Sequence, residues 1–126
     1  MIVFTSRTGN INDIVGRLDK SIPIVELNPK EIIETPFFLF TYTDGLGNTP
    51  DHVKDFLRLQ GNRKYLKGVI ASGNTNFGMQ NFCGTANEIS AWFGVPIIRK
   101  IDLRGNSNDV IAIEREYKKI IEGEID

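Results

Sequence analysis

The sequence predicts an α/β protein of the doubly wound class, a five-stranded parallel sheet of order 2-1-3-4-5 held in a three-layer sandwich between helices. Three observations carry that expectation. Five short apolar segments recur along the chain, each too short for an ordinary helix. Segments with apolar residues at helical spacing separate most of them. Polar loops rich in glycine, hydroxyl and amide side chains follow the first, third and fourth apolar segments. With 126 residues, 40% hydrophobic and 25% charged, the chain suits one domain spanning 1–126 around one sheet.

The elements follow in order. Ile2 to Thr5 reads as a strand, followed by the turn Ser6-Arg7-Thr8-Gly9-Asn10 and a helix carrying Ile11, Ile14, Val15 and Leu18. Ile22 to Leu27 reads as a second strand, with Pro23 tolerated at its start or on a sheet edge. Phe37 to Tyr42 is a six-residue apolar run rich in aromatics, which predicts a buried strand. After it, Asn48 or Thr49 is expected to cap a helix with Pro50 near its first position and Val53, Phe56 and Leu57 facing inward. Lys67 to Ser72 predicts the fourth strand, Gly73 to Cys83 a polar loop, and the next helix turns Ala86, Ile89, Ser90 and Phe93 to one side. Pro96 to Ile101 predicts the fifth strand. Asn106 or Ser107 then starts a last helix with an apolar stripe of Val110, Ile113, Tyr117, Ile120 and Ile121.

Composition excludes several classes of function. One cysteine, Cys83, leaves no internal disulfide, and one histidine, His52, leaves no Cys/His set for zinc or haem. Redox chemistry would therefore rest on an organic cofactor. The formal net charge of −1, with Lys and Arg scattered, argues against a nucleic-acid footprint and against a polybasic membrane anchor. No apolar run approaches the roughly 20 residues that span a bilayer, and the N-terminus enters a strand without a basic leader, so a cytoplasmic protein is expected.

In a doubly wound sheet, ligands sit beyond the carboxyl ends of the strands, where the strand order reverses. Ser6–Asn10 could hold a phosphate on successive backbone N–H groups at a helix start, with Ser6, Thr8 and Asn10 as added donors and Gly9 allowing close approach. It is neither a Walker loop nor GxGxxG, which favours a monophosphate over triphosphates and dinucleotides. An ordinary turn with an N-cap is the other reading. Thr43 to Asn48 carries Gly45 and Gly47, which can bring backbone against a planar heterocycle. Gly73-Asn74-Thr75-Asn76-Phe77-Gly78 offers amides for the heterocycle's polar edge and Phe77 for packing against its face. Plain turn chemistry accounts for either loop taken alone.

Taken together, these segments resemble the NrdI family, flavodoxin-like proteins that accompany class Ib ribonucleotide reductases. The likeness runs nearly end to end. It is strongest in Ser6–Asn10, in Thr41-Tyr42-Thr43-Asp44-Gly45-Leu46-Gly47-Asn48-Thr49-Pro50, and in Lys67 to Asn74 with Asn76-Phe77-Gly78. Val95-Pro96, Leu103-Arg104-Gly105 and Asn108-Asp109-Val110 add to it. The resemblance implies flavin mononucleotide (FMN) as cofactor, bound through its phosphate by Ser6, Arg7, Thr8, Gly9 and Asn10. Its ring would be held by Thr41 to Asn48 and by Gly73 to Gly78. It further implies the reductase small subunit NrdF as partner, an unidentified flavin reductase as electron source, and molecular oxygen as the species reduced. The resulting oxidant assembles the partner's dimanganese–tyrosyl radical cofactor. No residue is implied as a nucleophile, an acid/base catalyst or a metal ligand, so the protein reads as an activator without a metabolite substrate of its own. Two positions depart from the family pattern: Thr75 stands where many members have Arg, and Leu46 where many have an aromatic residue.

Two other functions use the same fold. A generic one-electron flavodoxin would share these loops, but this chain is shorter and less acidic than that class leads one to expect. A response-regulator-like domain would want Asp residues at strand ends, where this chain has Ser6, Thr41 and Ser72. Cys83 is expected to be a small packed residue rather than a redox thiol, His52 to be solvated, and Trp92 to belong to the core or a partner surface.

Overall fold

The structure is a computed structural model and describes residues 1–123. Five parallel strands form one sheet in the order β2-β1-β3-β4-β5: β1 Ile2–Phe4, β2 Ile24–Glu26, β3 Phe37–Tyr42, β4 Leu66–Gly73 and β5 Ile97–Asp102. Helices α1 (Asn10–Val15) and α5 (Ser107–Glu116) cover one face, while α2 (Asp51–Arg58), α3 (Gln60–Tyr65) and α4 (Gly84–Phe93) cover the other. The predicted class and strand order are both present.

Alternation along the strands explains why these segments read as continuous apolar runs. Val3, Phe37, Leu39, Val69 and Ala71 point to the face of α2 and α4, whereas Ile2, Phe38, Phe40 and Ile70 point to the face of α1 and α5. Both faces are buried, so neither set can be polar. Phe37 meets Phe56 of α2 edge-on at 5.9 Å between ring centroids, and Phe38 meets Tyr117 at 5.7 Å. Each of these fully buried aromatic side chains contributes on the order of 2–3 kcal/mol of hydrophobic stabilisation. β2 lies at one edge of the sheet, directly after Pro23.

Several local expectations need correction. Pro50 itself occupies the N-cap of α2 and no side chain caps that helix. The Thr49 hydroxyl is committed elsewhere, 2.8 Å from that of Thr85 and 2.9 Å from the Glu88 carboxylate. α3 carried no sequence signal, because Gln60-Gly61-Asn62-Arg63-Lys64 lacks an apolar period. It is anchored by buried Asn62, whose amide donates to Glu31 O at 2.8 Å and Phe56 O at 2.9 Å and whose oxygen accepts from Ile33 N at 2.6 Å. α5 begins with a capping box between Asn106 and Asp109, and its last turn widens into a π-helical stretch, Tyr117–Ile121. No helix among the described residues is long and apolar enough to cross a membrane.

Candidate functional site

Strands β1, β3 and β4 run in one direction, so the loops leaving their carboxyl ends meet at one edge of the sheet. They surround an open cleft of about 180 Å³.

The first wall comes from the turn between β1 and α1. Gly9 adopts φ +89°, a conformation that costs any other residue, and no atom lies near where its Cβ would be. Position 9 is therefore set by backbone angle rather than by crowding. Ser6 Oγ accepts from Gly9 N at 3.2 Å, and Arg7, Thr8 and Asn10 face the cleft. No side chain caps α1, so the N–H groups of its first turn lack a side-chain acceptor.

The second wall follows β3. Asp44 and Asn48 exchange backbone hydrogen bonds of 2.8 Å in both directions, closing a tight turn with Gly45 at φ +48° and Gly47 at φ +104°. Tyr42, Thr43 and Gly45 line the cleft. Arg7 reaches across the mouth to Asp44 at 2.6 Å, its guanidinium 5.0 Å above the Tyr42 ring. Burial, reinforced by Asp44 and opposed by Arg7, pushes the Tyr42 phenol above its usual range, which keeps it a hydrogen-bond donor.

The third wall follows β4. Asn74 Oδ1 accepts from Asn76 N at 2.9 Å and so caps a single 3₁₀ turn, Thr75–Phe77. Gly73, Asn74 and Phe77 line the cleft, and Thr43 Oγ1 donates to Ser72 O at 3.0 Å, tying this wall to the second. Thr75 is bound to Asp102 through its N–H and hydroxyl, at 3.2 and 3.4 Å. Thr75 thus fastens the loop to the end of β5.

Nine of the nineteen residues expected at the site line the cleft. The others shape it or stand beside it. Ser6 and Gly9 form the first turn, Asp44, Gly47 and Asn48 the second, and Thr75, Asn76 and Gly78 the third. Leu46 projects into solvent, 67% exposed. Thr41 lies within the sheet, fully buried, with its hydroxyl donating to Tyr42 O at 2.8 Å.

Sequence reasoning passed over three lining residues, Asn81, Cys83 and Leu103, while Ser72 entered only as the end of the fourth strand. Leu103 sits just past β5 at φ +54°, with its N–H on Gly73 O at 2.8 Å and its carbonyl accepting from Ser72 Oγ at 2.7 Å. The run Leu103-Arg104-Gly105 was the available signal, since the rule that selected the other strand ends applies to β5 as well. Cys83 closes the cleft floor at φ +52°; burial pushes its thiol up to about 11, so it stays protonated and packed, as expected. His52 is not free in solvent. Its Nε2 lies 2.7 Å from Thr5 Oγ1 and its ring tilts against Tyr42 at 5.9 Å.

The donor set suits a phosphate monoester attached to a flat ring. Ser6, Thr8 and Asn10 bring hydroxyl and amide groups with the cation of Arg7 beside them, and residues 6–10 contain no carboxylate. Tyr42, Phe77 and Leu103 supply aromatic and apolar walls, while Asn74 and Asn81 supply amides for a polar edge. Because the cleft opens to solvent, a ring held there keeps one edge accessible. These residues fit FMN. Across residues 2–115 the chain matches the family model described as NrdI flavodoxin-like, a span that contains every strand and all three loops. The chain therefore belongs to the NrdI flavodoxin-like family, FMN-binding flavoproteins associated with ribonucleotide reductase.

Proposed function

We propose that the cleft holds FMN with its phosphate on Ser6–Asn10 and its ring between the loops 41–48 and 73–78. In this reading the protein reduces molecular oxygen in the cytoplasm and supplies the oxidant that assembles the dimanganese–tyrosyl radical cofactor of NrdF, with an unidentified flavin reductase as the source of electrons. Bound FMN supplies a ring that accepts electrons and passes them to oxygen.

The chain's own residues do the rest. Ser6, Thr8 and Asn10 bind and orient the phosphate, and Gly9 keeps the backbone in the angle that allows it. Tyr42 and Phe77 cover the ring, Gly45 brings backbone polar groups to its edge, and the amides of Asn74 and Asn81 fix its orientation.

The observation that supports a docked partner, rather than diffusible electron transfer, is an apolar rim. Leu46, Phe77, Met79 and Leu103, each between 43% and 75% exposed, all belong to the loops around the cleft and make up half of the large hydrophobic side chains exposed on the described surface. Exposed apolar groups concentrated around one opening mark an interaction surface. A partner seated on that rim would enclose the mouth, so that an oxidant formed there passes onward without escaping to bulk water.

The test combines the FMN-loaded, reduced protein with NrdF charged with manganese(II) and oxygen, and follows the tyrosyl radical by electron paramagnetic resonance. Radical formation that depends on this protein and falls in a Leu46→Ser/Met79→Ser variant that keeps its FMN affinity supports the reading. Efficient reduction of a one-electron acceptor with no radical formed would instead assign the generic flavodoxin role. Binding of FMN and riboflavin with equal affinity would refute the phosphate assignment separately.

A further inference from the structure

In a parallel sheet, each crossover helix starts at the loop end of one strand and finishes at the opposite end of the molecule. The C-terminal halves of α2 and α4 therefore lie away from the cleft. Between them and α3 runs a groove of about 290 Å³, lined by Leu57, Trp92 and Phe93 and edged by Lys54, Arg58 and Arg63. Trp92 is 48% exposed and stands edge-on to Phe93 at 6.4 Å. A large aromatic surface left in water beside apolar neighbours is the composition of a binding hot spot.

Charge indicates what the groove receives. Five basic and two acidic residues lie between Asp51 and Lys67, in a chain whose formal net charge is −1. Arg58 is paired with Asp55 at 2.7 Å, whereas among the described residues Lys54 and Arg63 have no acidic partner. The polar side chains of the lining are donors only. A nucleobase edge would need acceptors as well, and a bilayer would need a protruding apolar face rather than a concave one. Acceptor-only groups flanking an apolar side chain are the complement that remains.

We propose that this groove docks an acidic segment of a partner protein. One apolar or aromatic side chain seats over Leu57 between Trp92 and Phe93, and neighbouring carboxylates meet Lys54, Arg58 and Arg63. The site is separate from the cofactor cleft, so a partner held here leaves the cleft open and raises the effective concentration of whatever else that partner carries.

Trp92 is the chain's only tryptophan, so its emission reports the groove directly. The FMN-loaded protein is titrated with short synthetic peptides that combine several Glu residues with one Leu or Phe. The expected result is a saturable change in emission that weakens as salt is raised. A Lys54→Glu/Arg63→Glu variant should lower affinity at least about tenfold, and so should replacing the peptide's apolar residue by Ser. A Trp92→Ala variant, followed by anisotropy of a labelled peptide, should also lose binding. Unchanged FMN affinity in each variant shows that the fold and the cleft survive. No saturable response from any of these peptides would overturn the proposal, as would equal binding by the charge-reversed variant. Preferential binding of a single-stranded oligonucleotide or of anionic phosphatidylserine vesicles would also overturn it. Self-association abolished by the same variant, without peptide binding, would assign the groove to a second copy of this chain instead.

Discussion

Replacing Gly84 by alanine sets two effects of opposite sign against each other where the second and third loops meet. Gly84 is the first residue of α4, and alanine there gains helix propensity worth at most about 1 kcal/mol. Against this, a Cβ at position 84 would lie 2.4 Å from Gly47 O, 2.8 Å from Gly47 Cα and 3.0 Å from Gly47 C. The closest of these is about 1 Å short of an ordinary contact. All three atoms are backbone and cannot rotate aside, and Gly47 N is itself fixed to Asp44 O at 3.1 Å. Overpacking of this kind costs about 1–3 kcal/mol, so the clash wins and Gly84→Ala is expected to destabilise the fold by about 1–2 kcal/mol. The displaced segment is the turn that carries Gly45 into the cleft, so FMN affinity should fall by about tenfold, the equivalent of about 1.4 kcal/mol. Gly16→Ala is the control: its Cβ would meet Asn12 O at 3.4 Å with φ at −68°, and the substitution should be neutral or stabilising by up to about 1 kcal/mol. Urea denaturation of both variants, with FMN titration followed by fluorescence quenching, gives the two numbers. A Gly84→Ala protein as stable as the wild type with unchanged FMN affinity would refute the reasoning.

Asn62→Ala removes three hydrogen bonds, two of them buried, and leaves Ile33 N without a partner while Phe56 O keeps only the long bond from Leu59 N, so a loss of about 3 kcal/mol is expected from denaturant midpoints, without a shift in FMN affinity. Asn106→Ala removes the cap of α5, whose Oδ1 accepts from Asn108 N and Asp109 N at 2.9 and 3.2 Å, and should cost about 1 kcal/mol in the same assay. The Cys83 thiol titrates higher in the folded state than in the unfolded chain, so its contribution to stability is whole below the usual thiol range and is lost as pH rises through about 11. A Cys83→Ala variant should show a shallower fall in stability across that alkaline window. Native protein should resist iodoacetamide at pH 8, and rapid alkylation there would contradict the burial argument.

The fold was legible because burial on both faces of the sheet leaves a plain record. Phe37–Phe40 and Val69–Ala71 are apolar throughout, and turn residues follow at the strand ends. Helix α3 was not legible. Its stability comes from one asparagine bonding to backbone distant in sequence, and such a contact has no local periodicity. The cap of α2 was misplaced for a related reason: Thr49 has the chemistry of a cap, but Thr85 and Glu88 of another helix hold its hydroxyl. At the site, loop composition located the cleft and most of its walls. Leu103 was passed over because the strand-order reversal draws attention to β1, β3 and β4, although the end of β5 lies at the same edge, where two hydrogen bonds to Ser72 and Gly73 hold it.

The three walls of the cleft are not equally bound to the molecule, and the difference bears on how a ligand enters. The second and third walls meet through close-packed backbone, Gly47 against Asn81 and Gly84, and through the Thr43 hydroxyl on Ser72 O. Moving either means reopening packed main chain at the price of several contacts. The first wall meets the second chiefly through Arg7, whose ion pair with Asp44 joins side chains 57% and 39% exposed. Pairs that accessible contribute at most about 1 kcal/mol, and less as salt rises. A phosphate approaching residues 6–10 can therefore take Arg7 away from Asp44 at little cost, because the charge lost to one acceptor is regained from the other. The rigid pair of walls then presents the ring site already formed, while the wall that must answer a charged ligand is the one held chiefly by an exchangeable charge.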